Sequence, residues 1–444
     1  MKISLSDHFT YKKLLRFVLP SVIMMVFTSI YGVVDGFFVS NYAGKTAFAA
    51  INLVMPFIMI LGGMGFMIGT GGTALVAKQL GEGKPEEANR TFSMMVGFTV
   101  VFGAVLSVAG VALMRPVSLL LKATPAMLDD CILYGRIVTG FTVTFMLQNV
   151  FQSFLIAAEK PKLGLAVTVA AGVTNMILDW LFVGVFGWGI AGAAVATGIS
   201  QCVGGVIPLF FFLKKDNGSR LHLTLTQLKA RPILAACANG SSELMSNISS
   251  SVVSMIYNFQ LLKFIGENGV SAYGTLMYVQ FVFIAIYIGY AIGCAPIVGF
   301  HFGAENRAEL KSLLKKSILL MAGTGIAMFG LAFALAGVFS GIFVGYDREL
   351  FDLTKHAFRM FSPAFLLAGY NIFASSFFTA LSNGGVSAAI SFFRTMICQS
   401  LSVLILPELF GVDGIWLSIT VAEVCASMIS TAFIFAKRKK YGYL

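Results

Sequence analysis

Apolar runs of about 20 residues or more recur from one end of this chain to the other, parted by short polar breaks that hold most of its charge. A bilayer core of ~30 Å demands that length of a helix. Alternating strands of about 10 residues, the mark of a membrane barrel, are absent. The breaks predict an all-α integral membrane protein of twelve helices, near 14–39, 47–77, 92–114, 131–158, 163–186, 189–213, 232–262, 271–301, 316–344, 356–381, 386–409 and 414–436. Composition agrees: 57% of the 444 residues are hydrophobic and 11% charged, against roughly 25% charged in soluble domains. The basic, amphipathic start "MKISLSDHFTYKKLLRF" leads into an apolar run too long for a cleavable signal, with no A-x-A site.

The net charge of +11 invites a nucleic-acid reading, but its distribution argues for topology. With the N-terminus inside, 22 of the 31 Lys and Arg fall in cytoplasmic segments and only six in outer loops. That bias is the positive-inside rule, and it places both termini in the cytoplasm with no nucleic-acid partner. All six Cys fall in predicted helices and the four His are scattered, so neither disulfides nor a metal-ligand spacing is expected.

The most polar interruption, "KKDNGSRLHLTLTQLKARP" from Lys214 to Pro232, lies near the middle of the chain. It divides an N-lobe (1–213) from a C-lobe (232–444), with 214–231 expected along the inner membrane surface. Shifting the chain by 222 residues brings Gly71 onto Gly293, Val76 onto Val298 and Gly81 onto Gly303. A shift of 223 brings Arg136 onto Arg359. Two six-helix bundles that enter from one side are related by a pseudo-two-fold axis along the membrane normal, with a cleft between them.

Within "SIYGVVDGFFVS", Ser29 to Ser40, an acid sits inside the first apolar run. A carboxylate there costs on the order of 3 kcal/mol or more unless it has a use. Asp179 reaches a similar depth in the fifth helix. Tyr31 and Asn175 each stand four residues earlier on the same helix face, and Thr197 of the sixth helix comes to the same level. Two carboxyls, a phenol, an amide and a hydroxyl then form one buried polar cluster, bordered by Gln148, Asn149 and Gln152 of the fourth helix. Singly, such groups serve as interhelical glue. Paired acids with no Lys or Arg at their depth instead suit an ion-coupling site, taking up a proton or held around Na⁺ by Asp35, Asn175, Asp179 and Thr197.

The second half does not repeat that cluster: Tyr257 stands where Asp35 would fall. Glu243 is read as snorkelling near the start of its helix. Glu423 either salt-bridges Arg394 or serves a substrate cavity with Tyr257, Tyr370 and Asn371, joined by Gln148, Asn149 and Gln152. Dense glycine in "LGGMGFMIGTGGTA" suits close helix packing; without a following Lys it is no phosphate loop.

"YGVVDG", "NMILDW", "GKPEEA" and "IGYAIGCAPIVGFHFGAENRAE" together resemble the multidrug and toxic compound extrusion (MATE) transporters, in the bacterial branch of staphylococcal-type exporters, over essentially the whole chain. The resemblance implies that Asp35, Asn175 and Asp179 couple a cation, with Tyr31 and Thr197 supporting. It implies a secondary antiporter of the bacterial inner membrane that exports small amphipathic organic cations in exchange for H⁺ or Na⁺, with no cofactor and no obligatory protein partner. A lipid-linked oligosaccharide flippase is the alternative; it would favour extra helices and central Arg residues to hold pyrophosphate. An intramembrane prenyltransferase would need Asp-rich metal motifs that are missing, so no enzyme is expected.

Overall fold

The computed structural model describes residues 3–43, 45–214, 216–345 and 347–443, with the backbone alone at 37, 40, 41, 45 and 267. Among these residues there are helices and no strand. The first lobe comprises α1 (Tyr11–Phe38), α2 (Lys45–Gly81), α3 (Pro85–Leu120), α4, α5 and α6 (Gly189–Leu213). Helix α4 is two pieces, Leu128–Gly140 and Thr142–Ala157, meeting at 54°. Helix α5, Pro161–Asp179, runs on as a π-helical stretch, Trp180–Val185. The second lobe holds α7 (Ala230–Phe264), α8 (Glu267–Gly303), α9 (Arg307–Ala334, followed by a short helix Ala336–Val344), α10 (Arg348–Phe361 and Phe365–Ala380), α11 and α12 (Val412–Tyr441). Helix α11 is Gly384–Phe392 and Ser400–Phe410 around a π-helical Phe393–Gln399.

Ten of these segments are long and apolar enough to cross a membrane, and the bent α4 makes an eleventh. Helix α7 spans 35 residues yet is missing from that set. Its sequence explains why: "NGSSELMSNISSS" puts serines and asparagines where the other helices carry Leu and Val. Such a helix is at home in a bilayer only with protein or water on most of its sides.

Between the lobes, residues 216–229 are not helical: they bend at 217–220, with Gly218 at φ 63°, and are fastened to the first lobe. The His222 amide donates to Asn89 Oδ1 (2.9 Å), the Thr224 amide to Ser93 Oγ (2.8 Å), and Leu221 is fully buried. The N-terminal segment crosses the same face. Glu159 at the end of α4 accepts from Ser4 Oγ and the Leu5 amide, at 2.8 and 2.9 Å. Glu309 on α9 accepts from the Phe9 amide (2.9 Å) and pairs with His8 (2.6 Å). With Leu5 and Phe9 fully buried, residues 4–9 strap one lobe to the other. The C-terminus ends on this face too, Tyr443 being buried against α12 through its hydroxyl bond to the Ile434 carbonyl.

On this termini face the lobes meet backbone to backbone. A Cβ on Gly71 of α2 would collide with the Ala236 carbonyl of α7, and one on Gly240 with the Met67 carbonyl. Gly81 and Gly303 exclude side chains in the same mutual way, against the Phe300 and Lys78 carbonyls. The contacts obey the repeat: Gly293 packs on Val18, and subtracting 222 from Gly293 and Gly240 returns Gly71 and Val18. One contact is the other turned about the pseudo-two-fold axis.

Towards the opposite, distal face the lobes part. The α7 row that touches α2 at Ala236, Gly240, Leu244 and Asn247 continues through Ser251, Ser254 and Asn258, which are half-buried or exposed. On α1, nothing lies within 4 Å of a Cβ built on Gly32. The cleft opens on the face away from both termini.

Gly71→Val is therefore expected to pry the termini face open. Spin labels at Arg90→Cys and Lys311→Cys, exposed on either lobe, should separate by a few ångström, since packed interfaces do not absorb added methyls. An unchanged distance would show that the seam accommodates a side chain.

Candidate functional site: a buried carboxyl pair

The α5–α6 hairpin brings Asp179 and Thr197 together. It turns through Gly187 and Gly189, both at positive φ (66° and 55°), a region that glycine enters without strain. Trp188 stacks on Phe182 at 4.8 Å and 19°, and its amide donates to the Phe182 carbonyl. Immediately before, the helix widens into π geometry at Trp180, a local change of phase often found at functional sites.

Asp179 is fully buried and Asn175, one turn below it, is nearly so; Asp35 of α1 and Thr197 are half-buried. The Asp35 and Asp179 carboxyls lie against each other. As carboxylates neither has a proton to give. Asp35 Oδ1 and both Asp179 oxygens are buried without a hydrogen-bond donor among the described residues, as are Asn175 Nδ2 and Thr197 Oγ1 without partners. No Lys or Arg pairs with either acid among the described residues; Arg136, at the depth of the distal ends, instead donates from Nε to the Val111 carbonyl (3.3 Å). Tyr31 lies beside Asp35 and meets Gln148, which packs over Gly204 of α6.

Sequence reasoning missed Tyr134. It is 2% exposed on the first piece of α4, near both carboxyls and beside Thr197. The bend in α4 turns this piece towards α6; a lone tyrosine in an apolar run gave no sign of it. Asn149 is held elsewhere, donating to the Gly62 carbonyl of α2 (3.0 Å), and Gln152 is buried with its Oε1 unpartnered.

In the second lobe the proposed cavity residues are bonded to one another and to their neighbours. Arg394, on the π-helical stretch of α11, clasps Glu423 with Nε at 2.9 Å and Nη2 at 2.6 Å from Oε1. Asn371 donates to Glu423 Oε2 (2.7 Å) and accepts from Ser430 (3.0 Å). Tyr257 is bonded to Ser418 (2.6 Å) and stacked on Tyr273, and Tyr370 is bonded to Thr431 (2.8 Å). Glu423 thus presents no free carboxylate. Glu243 corrects its own sequence reading. It is not at a helix end but 13 residues into α7, about 20 Å along, beside the inter-lobe contact of Gly63 with Leu244 and Asn247.

The two lobes thus differ in kind: a satisfied ion pair in the second, a set of unsatisfied oxygens in the first. The latter is a donor set for a proton or a hard cation.

Known proteins give this arrangement a context. The chain is 20% identical over 435 residues to the multidrug export protein MepA of Staphylococcus saprophyticus, covering 97% of this chain and 94% of that one. It is equally similar to its counterpart in Staphylococcus aureus, at 20% over 434 residues with the same coverage. Among solved structures, an outward-facing multidrug resistance transporter of the MOP superfamily superposes with a TM-score of 0.92, at 20% identity and 98% coverage of both chains. A MOP superfamily transporter from Pyrococcus furiosus superposes with 0.91, at 20% identity, covering 98% of this chain and 97% of that one. The MatE family profile matches twice, at residues 20–181 and 244–404, once in each lobe. This chain belongs to the MatE family, the MATE multidrug efflux transporters, which are not enzymes.

Proposed function

We propose that this protein is a secondary antiporter of the bacterial inner membrane, with its termini in the cytoplasm, exporting small amphipathic organic cations against an inward flow of H⁺ or Na⁺. The observation that carries the reading is the Asp35–Asp179 pair: two facing carboxyls, buried in the first lobe with no basic partner among the described residues. A proton shared between them, or Na⁺ held with the Asn175 amide oxygen, satisfies oxygens of Asp35, Asp179 and Thr197 that are otherwise orphaned. Tyr31 and Tyr134 close the cluster with hydroxyls that can donate to whichever carboxyl stays ionised.

Antiport needs differential binding. An ion that bound both orientations of the lobes equally would shift nothing however tightly it bound. The geometry here is open on the distal face, sealed by glycine contacts on the other, and strapped across by residues 4–9. Loading the acid pair with one cation cancels one of two facing negative charges, relieves their repulsion and so alters how α1 packs on α5. Transport then consists of the lobes exchanging the sealed face for the open one.

Reconstituted vesicles test this with pH and Na⁺ gradients imposed separately and ethidium as the exported probe. Ethidium should move uphill under one gradient and stop when that gradient is collapsed. Movement indifferent to both gradients would refute ion coupling.

A further inference from the structure

Between the termini-side ends of α1 and α5 lies a cavity of about 230 Å³, below the roughly 300–1,000 Å³ usual for drug-sized ligands. Arg16, Lys160 and Lys162 line it, and none of the three has an ion-pair partner among the described residues. One acid, Glu159, also lines it, but Glu159 is already engaged by Ser4, the Leu5 amide and Arg220. Three unmatched cations around so small a space repel one another, and an anion among them relieves that cost.

We propose that this cavity binds the head group of an anionic phospholipid from the leaflet on the termini side. Its phosphate sits among Arg16, Lys160 and Lys162, where the guanidinium supplies a forked pair of donors and the lysines add point charges. Phosphate chemistry alone would also suit free inorganic phosphate, but the rest of the cavity favours lipid. Phe17, Pro20 and Leu163 supply an apolar wall that a free anion has no use for. Arg16 also heads an exposed α1 row that continues through Leu19 and Ile23, and Lys162 heads an α5 row through Ala166, Ala170, Val173 and Ile177. Cations at head-group depth followed by exposed apolar rows along two adjacent helices match the profile of one lipid molecule. The site stands apart from the carboxyl pair, at the other end of the same two helices.

Native mass spectrometry of the full chain in neutral detergent, titrated with phosphatidylglycerol or phosphatidylcholine, tests the assignment. One phosphatidylglycerol should bind more tightly than any phosphatidylcholine. In Arg16→Gln/Lys160→Gln/Lys162→Gln that first affinity should fall roughly 100-fold, about fivefold for each cation. Because these residues also help set topology, Leu163→Trp provides a second variant that fills the cavity and keeps every charge. It too should lose the tight phosphatidylglycerol while phosphatidylcholine binding stays put. Added inorganic phosphate should fail to displace the lipid. Unchanged first-site affinity in Leu163→Trp would overturn the proposal, leaving the cations a purely topological role. Displacement by inorganic phosphate would overturn it as well, by making the cavity a simple anion site.

Discussion

Asp35→Asn is expected to abolish ion-driven export while leaving the protein inserted and at least as stable as the wild type. The expected loss is roughly 100-fold or more in gradient-driven ethidium transport, the upper end of the usual coupling between two sites. The two effects separate because the carboxylate is a liability for folding. It lies half-buried against a second buried acid with no donor to its Oδ1 among the described residues. An amide removes one charge and supplies an N–H to Asp179, so the melting temperature should hold or rise. Asp179→Asn should behave alike. The double variant should be no worse than either single one, because residues that act as a unit do not add. Clearly additive losses would indicate two separate sites, and full gradient-driven export in Asp35→Asn would remove the pair from the mechanism.

Glu423→Gln is expected to destabilise the second lobe by about 3–5 kcal/mol, the cost of leaving a buried charge without its partner. Arg394 would lose the counter-charge and one of the two acceptor oxygens it meets at 2.6 to 3.1 Å, and keep a guanidinium that is only 17% exposed. Arg394→Met/Glu423→Met should recover most of the loss, since apolar side chains of similar volume commonly replace buried ion pairs at no net cost. Asn371 would remain partly satisfied in that variant through the Glu423 backbone carbonyl and Ser430. The melting temperature reads both outcomes. If Glu423→Gln melts like the wild type yet selectively loses export of cationic probes, the carboxylate serves substrate rather than structure.

The acids were legible because they break a rule that chemistry makes strict. Charge inside an apolar run is expensive enough that Asp35, Asp179, Glu423 and Arg394 stand out with no structure in view. What each one touches was not legible. Arg394 and Glu423 lie 29 residues apart on different helices, and the widened turn at Phe393–Gln399, which no residue pattern announces, shapes the stretch that carries the guanidinium. Tyr134 was invisible for a related reason: tyrosine is ordinary in apolar helices, and only the 54° bend of α4 turns it to the carboxyls. Glu243 was misjudged although the start of its helix was read to within two residues, at 232 against Ala230: 13 residues along is about 20 Å, too deep for a glutamate to reach the helix end.

The sequence by itself determined what the solvent imposes: helices long enough for a bilayer, two repeats in register near 222 residues, the bias of basic residues to one side, and the identity of the out-of-place acids. Each follows from transfer free energies summed along a local stretch of chain. Tertiary structure decided what depends on distance between segments remote in sequence. It placed the two aspartates against each other without a base and locked Glu423 to Arg394. It also set Gly71 on Gly240 so closely that no side chain fits, and drew Leu5 to Phe9 across both lobes. The sequence carries no local signal for these, because the energies that choose them arise only when helices pack.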